Sequence, residues 1–76
     1  MMSILEMQRI FNENGIVKFR LYSLDYIIER ESDKVCIYTT DYPNRKKYYD
    51  SISELLSTHL IYNETIAENE TRIIKI

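Results

Sequence analysis

The stretch IVKFRLYSLDYIIERESDKVCIYTT, residues Ile16–Thr40, decides how this chain folds. Val17, Phe19 and Leu21 fall on odd positions with Lys18, Arg20 and Tyr22 between them, the two-residue period of a half-buried strand. From Leu24 onward the apolar set moves to even positions: Leu24, Tyr26 and Ile28. A one-residue shift inverts the faces, so the chain either passes through a bulge or turns a corner at Tyr22-Ser23. Neither residue favours the positive φ that a two-residue hairpin requires, and the sequence therefore predicts one bulged or kinked strand over 16–30. Glu31-Ser32-Asp33-Lys34 reads as a polar turn and Val35–Thr40 as the returning strand of a hairpin. Tyr42-Pro43-Asn44 breaks the chain again, and Arg45–Asp50 supplies a further short strand antiparallel to the last. The centre of the chain is a meander.

Helical signals flank it. Ser3 and Glu6 form a capping box, Ile4, Met7, Ile10, Phe11 and Asn14 step along one helical face, and Gly15 sits where a left-handed residue closes a helix over 4–14. Ser51 and Glu54 repeat the box, so a second helix begins at Ile52. Its apolar stripe is Ile52, Leu55, Leu56, His59 and Leu60, with Asn63 as the stop. Residues 64–70 form a polar connector, and Arg72–Ile76 fits a final strand, with a helical tail as the alternative. The expected fold is α+β: N-terminal helix, antiparallel three- to four-stranded meander sheet, second helix, short C-terminal strand.

Size and composition bound the rest. A chain of 76 residues, 45% hydrophobic and 29% charged, makes one small globular domain over 1–76. One glycine and one proline leave little room for linkers. A net charge of -2 gives no general attraction for nucleic acid or an anionic membrane. No run approaches the roughly 20 apolar residues of a membrane span, and Met-Met-Ser followed by an amphipathic pattern does not resemble a secretory leader. A single cysteine, Cys36, suits a reducing compartment, so the expected location is cytoplasmic. The Asn-x-Thr triplets at 63–65 and 69–71 then carry no glycosylation. Heavy use of Ile, Asn, Lys and Tyr, all AT-rich codons, points to a bacterial or phage origin.

Catalytic chemistry is hard to build from these residues. The one histidine, His59, lies on the inner stripe of a helix, and Cys36 lies mid-strand, where such residues are ordinarily packing groups. Cys-x-x-Cys, His-x-x-x-His and Asp-x-Asp spacings are all missing, and Gly15 alone cannot form a phosphate loop. Glu29 and Glu31 share a strand face, but Arg30 and Lys34 beside them suggest a solvated edge. The sequence predicts no enzyme, no metal and no cofactor.

The most site-like stretch is YPNRKKYY, Tyr42–Tyr49, which gathers the only proline, three adjacent cations and three tyrosines. Tyrosine is enriched where an interface needs one wet and one dry end. The central hairpin also carries apolar groups on both faces: Cys36 and Tyr38 alternate with Val35 and Ile37, and Ile27 opposes Tyr26 and Ile28. An apolar face must meet something. The expectation is a non-enzymatic protein that binds another protein or a second copy of itself, as a regulator or adaptor. The candidate surface is Tyr38, Tyr42, Arg45, Lys46, Lys47 and Tyr49. The alternative is weak nucleic-acid or phosphate-ligand binding by the same residues, with cations on the backbone and each stacked base worth about 1–3 kcal/mol. Lys18 and Arg20 add to that positive surface if the first and third strands are neighbours. The bland reading is that Lys46 guards an edge strand against aggregation while Tyr48 or Tyr49 joins the core.

Overall fold

The computed structural model describes residues 1–76 and has the expected α+β architecture. Helix α1 (Ile4–Asn14) leads into β1 (Ile16–Leu21), β2 (Leu24–Glu31), β3 (Lys34–Thr39) and β4 (Lys47–Tyr49). Helix α2 (Ile52–Thr58) follows, then a small hairpin of β5 (Leu60–Ile61) and β6 (Glu64–Thr65), a 3-10 helix (Ala67–Arg72) and β7 (Ile74–Lys75). The main sheet is antiparallel with strand order β4-β3-β2-β1-β7, the four-strand meander extended by the C-terminal strand.

Both helices form where their caps dictate. The Ser3 hydroxyl accepts from the Glu6 amide at 3.1 Å, and Gly15 (φ 74) closes α1 by donating its N–H to the Phe11 carbonyl at 2.7 Å. The Glu6 carboxylate does not complete the box; it accepts from Lys75 Nζ at 2.9 Å, and the free Ile4 amide is taken by Glu70 at 2.9 Å. At α2 the box is whole: Ser51 accepts from the Glu54 amide, and the Glu54 carboxylate accepts from the Asp50 amide, each at 3.0 Å.

Helix α2 ends earlier than its apolar stripe suggests. Thr58 is the last helical residue, and His59 is already extended (φ -70, ψ 124). The Ser57 and Thr58 hydroxyls bond back to the carbonyls of Ser53 and Glu54, an alternative that competes with continuing a helix. Beyond them the pattern becomes strand-like: Leu60 is exposed while Ile61 enters the core.

The bulged strand expected over 16–30 is instead a hairpin. Leu21 pairs with Leu24 across a two-residue turn in which Tyr22 (φ 53) and Ser23 (φ 64) are both left-handed. That geometry explains the change of parity directly, since residues flanking a two-residue turn share a face. Tertiary contacts override the local preference. The Tyr22 hydroxyl donates to Oδ1 of the fully buried Asn69 at 2.6 Å, and its ring meets Tyr62 edge-on at 5.0 Å. Tyr62 (φ 53) and Asn63 (φ 68) make a second turn of the same kind between β5 and β6.

The core lies on one side of the sheet. Val17, Phe19, Leu21, Tyr26, Ile28, Val35 and Ile37 point to this inner face, where Met7 and Phe11 of α1, Leu55 and Leu56 of α2, and Ile61, Ile66 and Ile73 form one cluster with them. No helix is long and apolar enough to cross a membrane.

Two substitutions test how the first turn is held. Replacing Asn69 with Ala strips Tyr22 and the Thr65 carbonyl of their buried partner, a loss of about 2 kcal/mol that thermal denaturation reads as a fall of roughly 10 °C in Tm. Ser23→Gly relieves the left-handed strain and raises stability by about 1 kcal/mol. An unchanged or lower Tm for Ser23→Gly would show that the turn is not strained.

Candidate functional site

The outer face of the sheet is built from the residues that alternate with the core. Register aligns Ile16 with Glu29, Lys18 with Ile27 and Arg20 with Asp25 across β1 and β2. Across β2 and β3 it aligns Ile27 with Tyr38, Glu29 with Cys36 and Glu31 with Lys34, and Cys36 then faces Tyr48 on β4. The expectation of two apolar faces is met fully on the inner side and only in part on the outer one. There Ile27, Cys36 and Tyr38 share the surface with carboxylates and cations.

Those polar groups tie together above Cys36. Lys46 Nζ donates to the Glu31 carboxylate at 2.8 Å, the Tyr48 hydroxyl donates to the same carboxylate, and the Tyr38 hydroxyl donates to Glu29 at 3.0 Å. The Lys46 ammonium also lies 5.4 Å from the centre of the Tyr38 ring. These bonds hold the Glu31 carboxyl below its usual range, the Lys46 hydrogen bond contributing most and Tyr48 next. Cys36 is fully buried beneath them. Burial pushes its thiol upward, and the Glu29 and Glu31 charges push it further, so it stays a protonated, unreactive packing group. Glu29, Glu31 and Cys36 bring their donor atoms within 4.8 Å of one another. Each carboxylate is already engaged by a tyrosine, and Lys46 supplies the cation.

The six candidate residues are distributed over three places. Tyr38 and Lys46 meet on the outer face. Tyr42 and Arg45 lie in the exposed loop between β3 and β4, the guanidinium 4.6 Å from the centre of the Tyr42 ring. Lys47 pairs with Ile37 and Tyr49 with Val35, which places both on the inner side of the ladder. Tyr49 packs against the core, and its hydroxyl is 2.8 Å from Nδ1 of His59. Three consecutive cations thus go to an ion pair, a tyrosine ring and the opposite face. Lys18 and Arg20 do not join them, because β1 and β4 are separated by β2 and β3. His59 and Cys36 stand on opposite sides of the sheet and form no pair.

Residues outside the six candidates also stand on the outer surface: Ile27, Glu29, Glu31 and Tyr48, with Lys18 on the neighbouring strand. The signal for Tyr48 was parity, since 46 and 48 share one face and 47 and 49 the other. At a corner of this face, a polar hollow of about 320 Å³ is lined by Arg20, Ser23, Asp25, Thr40 and Asp41, and the Arg20–Asp25 ion pair (2.7 Å) occupies its wall. Comparison with family models, with curated proteins and with solved structures finds no match.

Half-buried His59 makes stability depend on pH. Desolvation, and next the Lys47 charge, lower its pKa from the ordinary 6.5. The unfolded chain therefore takes up a proton at a higher pH than the folded one does, and stability falls as pH drops below about 6.5. Well above that value both states are neutral and this contribution is flat. Urea titrations at stepped pH should show His59→Gln weakening the fall between pH 6.5 and 5, and an identical pH profile would exclude His59 as its source.

Proposed function

We propose that this chain is a non-enzymatic protein-binding module, a regulator or adaptor of bacterial or phage origin, that docks through the outer face of its sheet. One observation carries the reading: a five-stranded sheet with all its helices on one side leaves the other side free, and that side is amphipathic. Tyr48 is exposed there beside half-buried Ile27 and Tyr38, and the surrounding charges largely cancel in pairs. Tyrosine, aliphatic groups and paired charges are what a protein interface uses. Tyr42 and Arg45, stacked in the β3–β4 loop, extend the surface at one corner. A cytoplasmic setting fits the buried, unpaired Cys36.

Nucleic acid is the weaker partner for this geometry. A phosphate backbone needs a continuous positive track, whereas Lys46 is neutralised by Glu31 and Lys47 lies on the inner side. The surface is read directly by a photoreactive side chain placed at Tyr48, with exposed Leu5 on α1 as the control position. The Tyr48 position should give a discrete protein adduct in bacterial cells expressing the chain, and the Leu5 position none. Equal adducts from both positions, or none from Tyr48, would contradict the proposal. Oligonucleotide binding that weakened steeply with salt would favour the nucleic-acid alternative.

A further inference from the structure

We propose that the outer face is covered by a second copy of this chain, the two sheets packed face to face about a two-fold axis; the inference rests on the docking reading above and names its partner. Charge complementarity carries it. On the outer face Arg20 pairs with Asp25, Lys46 with Glu31 and Lys34 with Asp50. Lys18 and Glu29 have no ion partner, although Glu29 accepts from the Tyr38 hydroxyl. On the strands of this face one unmatched cation and one unmatched anion remain. Arg45 and Asp41, in the loop at its corner, add one more of each sign.

A two-fold interface uses the same patch twice, so the patch must complement itself. A surface with a surplus of either sign repels its own copy. This one has equal and opposite leftovers, and two copies supply two Lys18–Glu29 pairs. Beside these pairs Ile27 and Tyr38 of each copy supply apolar contact, with Tyr48 further out on the edge strand β4. Of the three ion pairs, Lys34–Asp50 and Arg20–Asp25 lie on outer strands or near a turn, where they keep contact with water and avoid the desolvation that makes buried pairs costly. Lys46–Glu31 enters the contact, with the Tyr48 hydroxyl also bonded to Glu31.

Area limits the size class of the contact. Strand spacing of about 4.8 Å and a rise of about 3.3 Å per residue give the face a footprint of roughly 400 Å². Two copies bury roughly 800 Å², below the size of a standard stable complex. The dimer is therefore weak and governed by concentration. Sheets packed in this way stand about 10 Å apart, enough for the tyrosines of both copies to interleave.

Sedimentation equilibrium over a concentration series tests the inference with wild type, Lys18→Glu, Glu29→Lys and the double exchange. Wild type should dimerise weakly, with a dissociation constant between about 1 µM and about 1 mM. Each single exchange places like charges opposite each other and should weaken the dimer about tenfold or more, and the double exchange should restore it. Circular dichroism should give the same fold for all four, since Lys18 is exposed and Glu29 is half-buried. A wild-type chain that stays monomeric up to about 1 mM, or single exchanges that dimerise as wild type does, would overturn the second copy as partner. If the Tyr48 crosslink then still captured a different protein, the docking reading would survive. If the crosslink were absent too, both would fall.

Discussion

Everything in this molecule depends on the stack of Phe19 on Tyr26. The two residues pair directly across β1 and β2, their ring centres are 5.3 Å apart, and the rings are within 13° of parallel. Phe19 is fully buried and Tyr26 nearly so. A slip of one residue along β1 would turn Phe19 to the outside and press Lys18 or Arg20 into the core, at a cost of several kcal/mol for an unpaired buried charge. The register is therefore fixed by burial, and the turn at Tyr22-Ser23 adopts the conformation that this register leaves open to it. Its left-handed residues cost about 1–2 kcal/mol each, offset by the Asn69 hydrogen bond and the edge-on contact with Tyr62.

Once the register is fixed, the two faces follow. The inner face takes all the covering elements, and the ends of the chain are tied down on that side. The Met2 amide donates to the Ile73 carbonyl at 3.0 Å, Glu70 caps the first turn of α1, and Lys75 reaches Glu6. With both helices and the C-terminal segment committed there, the outer face keeps only the cover its own side chains provide. The bonds among Tyr38, Glu29, Glu31, Lys46 and Tyr48 close over Cys36 and leave an amphipathic sheet surface. An antiparallel sheet can present such a face to water. Its tyrosines and its balanced charge are what the docking role proposed for it rests on.

Much of this was legible in the residues. Both helix starts followed from Ser-x-x-Glu, the end of α1 from Gly15, the meander from its alternation, and the last strand from the isoleucine-rich tail. The first turn was not, because its support comes from Asn69, 47 residues further along the chain. The end of α2 was missed because the spacing of His59 and Leu60 satisfies a helical stripe, while the back-bonding of Ser57 and Thr58 that competes with it is a local polar effect. Thr65 and Glu68 satisfy each other's backbone amides at 2.8 and 3.0 Å and start the 3-10 helix, the motif already recognised at Ser3 and Ser51. The candidate surface was found in part. Tyr38 and Lys46 are on it, whereas Lys47 and Tyr49 are one residue out of phase and fall on the inner side. Glu29 and Glu31 were seen as a solvated edge, since their tyrosine and lysine partners come from strands that only the folded register brings alongside.

Solvent paramagnetic relaxation of the isoleucine methyl groups tests the central claim most directly. Ile27 and Ile28 are adjacent in sequence and stand on opposite faces of the same strand. In dilute solution a soluble paramagnetic agent should broaden the Ile27 methyl resonances strongly and leave those of Ile28 sharp. Equal protection of the two would mean that the chain covers both sides of its sheet by itself, and the outer face would then be no docking surface.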